Sequence, residues 1–449
     1  MKTLLQNFRI VDASIDAIGA VILHDEIIRD VWVKGEAIRY DIGRMGIDRV
    51  IDGGGLTLMP AFIDMHAHFR DPGFPEKETL ESASLAALAG GYTTVICMAN
   101  TKPVIDTFEA AQALKHRSNA LRLIDLYPAL ALTRSMAGTE LASGFSALDL
   151  IRTSALKDIA LGFSWPGPRY VRLCSEDGKD VADDALFKEA LVRAAALRLP
   201  VSCHCDAGGH EALQAWEAGQ PYSIWSRIEE NVATERAIRL GREAGAHVHI
   251  AHVSTKEALA RIRAAKARGE SVSCEVTPHH LCLTESDAAS LGSESYGRVN
   301  PPLRNEEDRQ ALIAGLVDGS IDAIATDHAP HTSGDKEHGS PGFSGLETSF
   351  AACFTELVGK GHLSLSRLSA LMSVAPARLL RLFDRGAIEP GLLADLVVVD
   401  TEAVWHVDTA LFRSRGKNSA FSGRALSGKT LMTLHAGSVV FDRGFGAKL

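Results

Sequence analysis

Four histidines and one aspartate have the residue types and the placing of metal ligands. His66 and His68 lie two residues apart in the run Asp64-Met65-His66-Ala67-His68, while His204, His252 and Asp327 each close a short apolar run. Residues i and i+2 of an extended segment project from one face, so both imidazoles of the pair can reach the same ion. Any one of these histidines alone reads more simply as a polar residue at a strand end. Taken together they suit Zn²⁺ best, with Mn²⁺, Co²⁺ and Fe²⁺ open by ligand type. An ion of this kind acidifies water and polarises carbonyl oxygens, so the chemistry they point to is hydrolytic.

The elements that must position them are legible in the apolar pattern. Short, nearly continuous apolar runs at 57–64, 92–98, 121–130, 170–174, 200–204, 247–252, 271–276 and 321–326 alternate with helical patterns such as 183–197 and 256–268. Buried parallel strands in βαβ units read this way, and eight of them predict an α/β fold closed as a TIM (β/α)8 barrel. Such a barrel gathers the C-terminal ends of its strands on one rim. His66, His68, His204, His252 and Asp327 fall at those ends. Runs at 3–11, 20–23, 27–33, 50–52, 396–399, 430–436 and 438–441 are β-like and separated by Gly-rich turns. Neither end buries much alone, so the two are expected to pair into one small β-sandwich domain, 1–57 with 388–449, beside a catalytic barrel of 58–387. The loop 331–345, rich in Gly, Ser, Pro and charge, is the expected mobile lid.

Bulk properties exclude several classes. A net charge of -9 spread along 449 residues, with no basic stripe, argues against nucleic-acid binding. No run of about 18 apolar residues is present to span a membrane, and the N-terminus lacks the pattern of a signal peptide, so the cytoplasm is expected. Seven cysteines, mostly inside apolar runs, read as buried thiols. Cys203 and Cys205 flank His204 and could be thiolate ligands, but on a strand they face away from that histidine, and packing is the simpler account. His279 and His280 follow the seventh strand and read equally as packing or as support for the ligands.

Beyond these derivations the chain resembles the amidohydrolase superfamily, and within it the bacterial class I dihydroorotases. The resemblance runs over nearly the whole length. It is carried by Phe62-Ile63-Asp64-Met65-His66-Ala67-His68-Phe69-Arg70-Asp71-Pro72-Gly73, by Met98-Ala99-Asn100-Thr101-Lys102-Pro103, by Asn300-Pro301-Pro302-Leu303-Arg304 and by Thr326-Asp327-His328-Ala329-Pro330-His331. It implies one or two zinc ions, two being favoured, with His66, His68 and Asp327 on one and His204 and His252 on the other. Where many relatives bridge the metals with a modified lysine, Ser175-Glu176-Asp177-Gly178 implies Asp177 as the bridge, with Glu176 the alternative. It further implies that Arg70, Asn100 and His331 bind a substrate carboxylate, that Asn300, Pro341 and Gly342 contact the ring, and that Asp327 moves the proton.

The activity implied is reversible hydrolysis of the cyclic amide of (S)-dihydroorotate to N-carbamoyl-L-aspartate in pyrimidine synthesis. Dihydropyrimidinases, hydantoinases and allantoinases are the neighbouring alternatives. An inactive partner of aspartate carbamoyltransferase is another, disfavoured because no ligand has been lost. A small-molecule substrate is implied; a homodimer and a carbamoyltransferase partner stay open. Ala61 departs from the family, which usually has Gly there.

Overall fold

The computed structural model describes residues 1–33, 46–159, 170–206, 222–291 and 296–445. Two sets of strands are laid down. The chain ends supply β1 (Lys2–Val11), β2 (Asp16–His24), β3 (Ile27–Val33), β4 (Arg49–Asp52), β5 (Thr57–Pro60), β14 (Leu396–His406), β15 (Ala425–His435) and β16 (Ser438–Asp442). These join in one 8-stranded sheet in the order β16-β15-β14-β5-β1-β2-β3, with β4 on β1, so N- and C-terminal strands share a sheet as expected. Leu396 and Val398 of β14 pack with Phe8, Ile10 and Leu434 in the core of this terminal unit. Val397 and Val399, on the other face, join the core of the barrel. A sheet buried on both sides loses its polar alternation, which is why 396–399 is continuously apolar.

Between the ends lie β6 (Phe62–Ala67), β7 (Tyr92–Cys97), β8 (Asp125–Pro128), β9 (Cys174–Ser175), β10 (Val201–Cys203), β11 (Val248–Ile250), β12 (Val272–Val276) and β13 (Ala323–Ile324). All pairs are parallel, in the orders β6-β7-β8 and β13-β12-β11-β10-β9. Parallel bridges Leu130 to Cys174 and Ala67 to His328 join the two sets and close the TIM barrel. Helices start where side chains can cap them. Asp183 caps the helix Asp184–Ala196, which buries Phe187, Ala190, Leu191 and Ala194 at helical spacing. Thr255 caps Lys256–Ala267 in the same way.

Three expected strands are corrected. The run 57–64 is two strands in two sheets: β5 pairs with β14 and β1, and only β6 belongs to the barrel. The switch falls at Ala61, whose N–H donates to Asp395 O. The third strand begins later than 121 because the helix Phe108–Leu121 uses that residue. The fourth starts at Cys174, since Tyr170 is a loop residue with its ring against Phe108 and His116. No described helix is long and apolar enough to cross a membrane. All seven cysteines are free, and Cys203 Sγ donates to Val201 O, so packing accounts for it.

Candidate metal centre

The barrel rim brings the expected ligands into one buried cluster. Asp327 Oδ1 lies 3.1 Å from His68 Nε2 and 3.6 Å from His66 Nε2. Asp177 Oδ1 lies 3.2 Å from His66 Nε2, 3.2 Å from His204 Nδ1 and 3.7 Å from His252 Nε2, and its Oδ2 lies 3.4 Å from His68 Nε2. His204 Nδ1 and His252 Nε2 face each other at 2.8 Å. The donor atoms of His66, His68 and Asp327 form one compact group, and those of His66, Asp177 and His252 a second that shares His66. Overlapping groups of this kind suit a pair of metal ions.

Two further observations fit a metal. His66 Nε2 and Asp177 Oδ1 are fully buried and make no hydrogen bond, although they are only 3.2 Å apart. Orphaned donor atoms aimed at a common point are what a cation satisfies. The electrostatics follow from the same contacts. Burial alone would push the Asp177 carboxyl up, yet His66, His204 and His252 hold it well below the usual carboxylate range. Burial would pull His66 down, yet Asp177, Glu275 and Asp327 hold its imidazole well above the ordinary value.

The backbone turns sharply where the ligands sit. His252 and Asp327 take φ of 33° and 47°, and Arg70 takes 57°, a region that non-glycine residues enter rarely and mostly where surrounding structure enforces it. Of the two neighbouring carboxylates, only Asp177 faces the histidines. Glu176 turns back and accepts from Leu132 N at 2.8 Å, Thr133 N at 3.1 Å and the Thr133 hydroxyl.

Sequence reasoning missed the groups that orient these ligands. Glu275 of β12 is fully buried, with Oε1 3.0 Å from His66 Nδ1 and Oε2 3.1 Å from His249 Nε2, while His249 Nδ1 meets Ser273 Oγ at 2.7 Å. A carboxylate on Nδ1 keeps the proton there and turns the Nε2 lone pair towards the metal position. The available signal was a lone carboxylate inside an otherwise buried strand. Glu275→Gln is expected to weaken metal binding by about 10- to 100-fold, read by competition against a chelator; unchanged affinity would remove Glu275 from this role.

Asn100 Oδ1 lies 3.0 Å from His68 Nδ1 and Asn100 Nδ2 donates to Asp177 Oδ2 at 3.2 Å, so its amide joins two ligand residues. Asn300 Nδ2 lies 2.9 Å from His204 Nε2. Arg70 Nη2 lies 3.3 Å from His331 Nε2, and Arg70 Nε donates to Pro330 O. Neither Asp71 nor Glu76 pairs with Arg70: both Asp71 oxygens are taken by Arg117, at 2.7 and 2.9 Å. Pro341 O accepts from His331 Nε2 at 2.9 Å, and Gly342 N donates to Arg298 O. His280 is engaged by Thr277 Oγ1 and Pro301 O, whereas His279 Nε2 is buried without a hydrogen bond.

Comparison with known proteins decides the family, because the model of the Amidohydrolase family matches residues 57–440, most of the chain. The chain belongs to the amidohydrolase family. Among its relatives this amidohydrolase is 38% identical to the dihydroorotase of Clostridium botulinum, the match covering 99% of this chain and 100% of that one. It is 37% identical to the dihydroorotase of Syntrophus aciditrophicus, over 98% and 100% of the two chains. Among solved structures it resembles the L-hydantoinase (dihydropyrimidinase) of Arthrobacter aurescens, at 28% identity, a TM-score of 0.82 and coverage of 98% and 96%. It is therefore a dihydroorotase-like hydrolase with a buried His/Asp metal-binding site.

Proposed function

We propose that this amidohydrolase opens and re-forms the cyclic amide of (S)-dihydroorotate, with N-carbamoyl-L-aspartate as the open form, in pyrimidine (UMP) synthesis in the cytoplasm. The observation that carries the substrate is Arg70. Among the described residues no carboxylate pairs with this guanidinium, although it stands beside the metal ligands and burial pulls its pKa down. A cation left without its anion next to a hydrolytic centre is a ready partner for a substrate carboxylate, and a guanidinium offers the two-point contact that matches one. Dihydroorotate has such a carboxylate beside its cyclic amide; dihydrouracil and hydantoin do not.

In this proposal His66, His68 and Asp327 would hold one zinc ion and His204 and His252 the other, with Asp177 as the carboxylate shared between them. The ions supply acidified water and polarise the amide carbonyl. Arg70, Asn100 and His331 receive the carboxylate, and Asn300, Pro341 and Gly342 flank the ring. Asn100 would share its N–H with Asp177 to do so. His331 enters as a neutral imidazole, since burial and the Arg70 charge push it down to about 3. Asp327 takes a proton from the water as its oxygen adds to the amide carbonyl carbon, then returns that proton to the ring nitrogen, whereupon the C–N bond breaks and the carbonyl re-forms as the new carboxylate.

The test combines metal content with turnover of dihydroorotate, dihydrouracil, hydantoin and allantoin, on the native protein and on Arg70→Ala. Dihydroorotate is expected to be the preferred substrate. Arg70→Ala is expected to raise its KM by roughly 10- to 100-fold, the size of a lost charge-assisted contact, with a smaller change in kcat. Preference for a ring without a carboxylate would instead favour hydantoinase-type activity.

A further inference from the structure

The segment 330–343, which brings His331 and Pro341 to Arg70, is built around one buried ammonium. Lys336 is 1% exposed. Its Nζ donates to Arg298 O at 3.0 Å, Ser340 O at 2.9 Å and Gly342 O at 3.0 Å, which uses all three of its N–H bonds. The rings of Phe343 and Tyr296 lie 5.3 and 5.7 Å from it, within cation–π range. Among the described residues no carboxylate pairs with Lys336, so a charge is buried against carbonyls and rings alone. Burial of a charge without a counter-ion is costly, and here the compensation is the folded shape of the loop itself.

A second side chain grips the same loop. Asn418, far along the chain and 3% exposed, donates from Nδ2 to Ala329 O at 3.1 Å and Gly342 O at 3.0 Å. Its Oδ1 accepts from His331 N and from Ser344 Oγ, each at 3.0 Å. The hydrogen-bonding capacity of this amide is thus fully used on the two strands of one loop. Gly342 O receives both Lys336 and Asn418. Gly342 has φ of 130°, and a Cβ there would lie 2.6 Å from Ala329 Cβ, so the loop closes on itself only because this residue is glycine. The next carbonyl back, Pro341 O, is the one that meets His331 Nε2.

We infer that Lys336 and Asn418 are positioning residues that hold segment 330–343 as a preformed wall, setting His331 beside Arg70 before any substrate arrives. The segment is therefore a fixed arm of the carboxylate pocket and not the mobile lid its composition suggests, given that Arg70 and His331 receive a carboxylate as proposed above. Pre-setting the arm removes the ordering cost that a flexible loop would incur on each binding event.

The test uses Lys336→Met, which keeps the stem and removes the ammonium, and Asn418→Ala, which releases the loop from the other side. Each is measured in the metal-loaded, full-length protein. Amide hydrogen exchange across 330–343 is expected to rise by at least about tenfold in both variants while exchange at β6 and β11 is unchanged, a local opening of the size of the lost contacts. KM for dihydroorotate is expected to rise roughly 10- to 100-fold, with kcat within about threefold and metal content intact. Fast exchange across 330–343 in the native protein, or unchanged exchange in both variants, overturns the inference. So does an equal fall in kcat and metal content, which marks a general structural role. If the native protein does not turn over dihydroorotate, the substrate assignment fails. The exchange measurement then still decides whether the arm is preformed.

Discussion

Asp327→Asn is expected to lower dihydroorotate turnover by roughly 10²- to 10⁴-fold, the usual share of a positioned proton-transfer group. The replacement is nearly isosteric and keeps one oxygen that could sit where Oδ1 now faces His68 and His66, at 3.1 and 3.6 Å. What it removes is the capacity to accept a proton and return it. Metal content measured on the same sample separates the two roles assigned to this residue. Turnover lost with the metal retained identifies the proton carrier; turnover and metal lost together identify a ligand first. Near-normal turnover would leave the site without an evident base, because Asp177 is already surrounded by His66, His204 and His252.

Asp177→Asn is expected to have the largest effect on the metal itself. Groups that merely orient a ligand cost about 10- to 100-fold in affinity when removed, so loss of a carboxylate placed among four histidine nitrogens should exceed that range. It also removes the anion that faces the buried His66, His204 and His252, so stability should fall as well. A fall in thermal stability that added zinc no longer reverses is the accompanying observation. Glu176→Gln is the control. Its carboxylate caps the N–H groups of Leu132 and Thr133, so it should lower stability and leave metal binding intact. The opposite pattern in the two variants would exchange the roles of these neighbours.

The distinction matters for specificity within the family. The likeness to a hydantoinase structure spans the whole chain, so the shared frame does not choose the substrate. In the proposed function the choice falls to a few side chains on the rim, foremost Arg70, which pairs with no carboxylate among the described residues. Its neighbour Asp71 carries a bidentate pair with Arg117, which removes the ion pair that would otherwise have satisfied Arg70 locally. Holding an arginine ready in this way costs stability and has a return only when an anion binds.

Much of the site was legible because a parallel barrel converts sequence position into spatial position. Each of the five expected metal-binding residues closes or follows an apolar run that carries a barrel strand, and all the barrel strands present their C-terminal ends to one rim. His66, His68, His204, His252 and Asp327 could therefore be grouped although up to 261 positions separate them. Glu275 escaped because it lies within a strand, where a buried carboxylate has meaning only once its partners His66 and His249 are known. The division of 57–64 between two sheets escaped because both pieces are buried on both faces, and an unbroken apolar run carries no mark of where one sheet hands over to the next.

By itself, then, the sequence determined the barrel, the union of the two chain ends in one sheet, the metal-binding character of the rim and the arginine beside it. The first three follow from periodicity and from residue type, which are local properties; the arginine came from the family resemblance and its place two residues beyond His68. Only the tertiary structure showed that Asp177 faces the histidines and Glu176 turns back to Leu132 and Thr133, since β9 is too short for its alternation to say which side chain faces the rim. It alone showed Arg70 without a carboxylate partner among the described residues, and Lys336 and Asn418 both donating to Gly342 O. Those are facts about which groups are already partnered, and partnership between distant residues is settled by packing, not by the pattern along the chain.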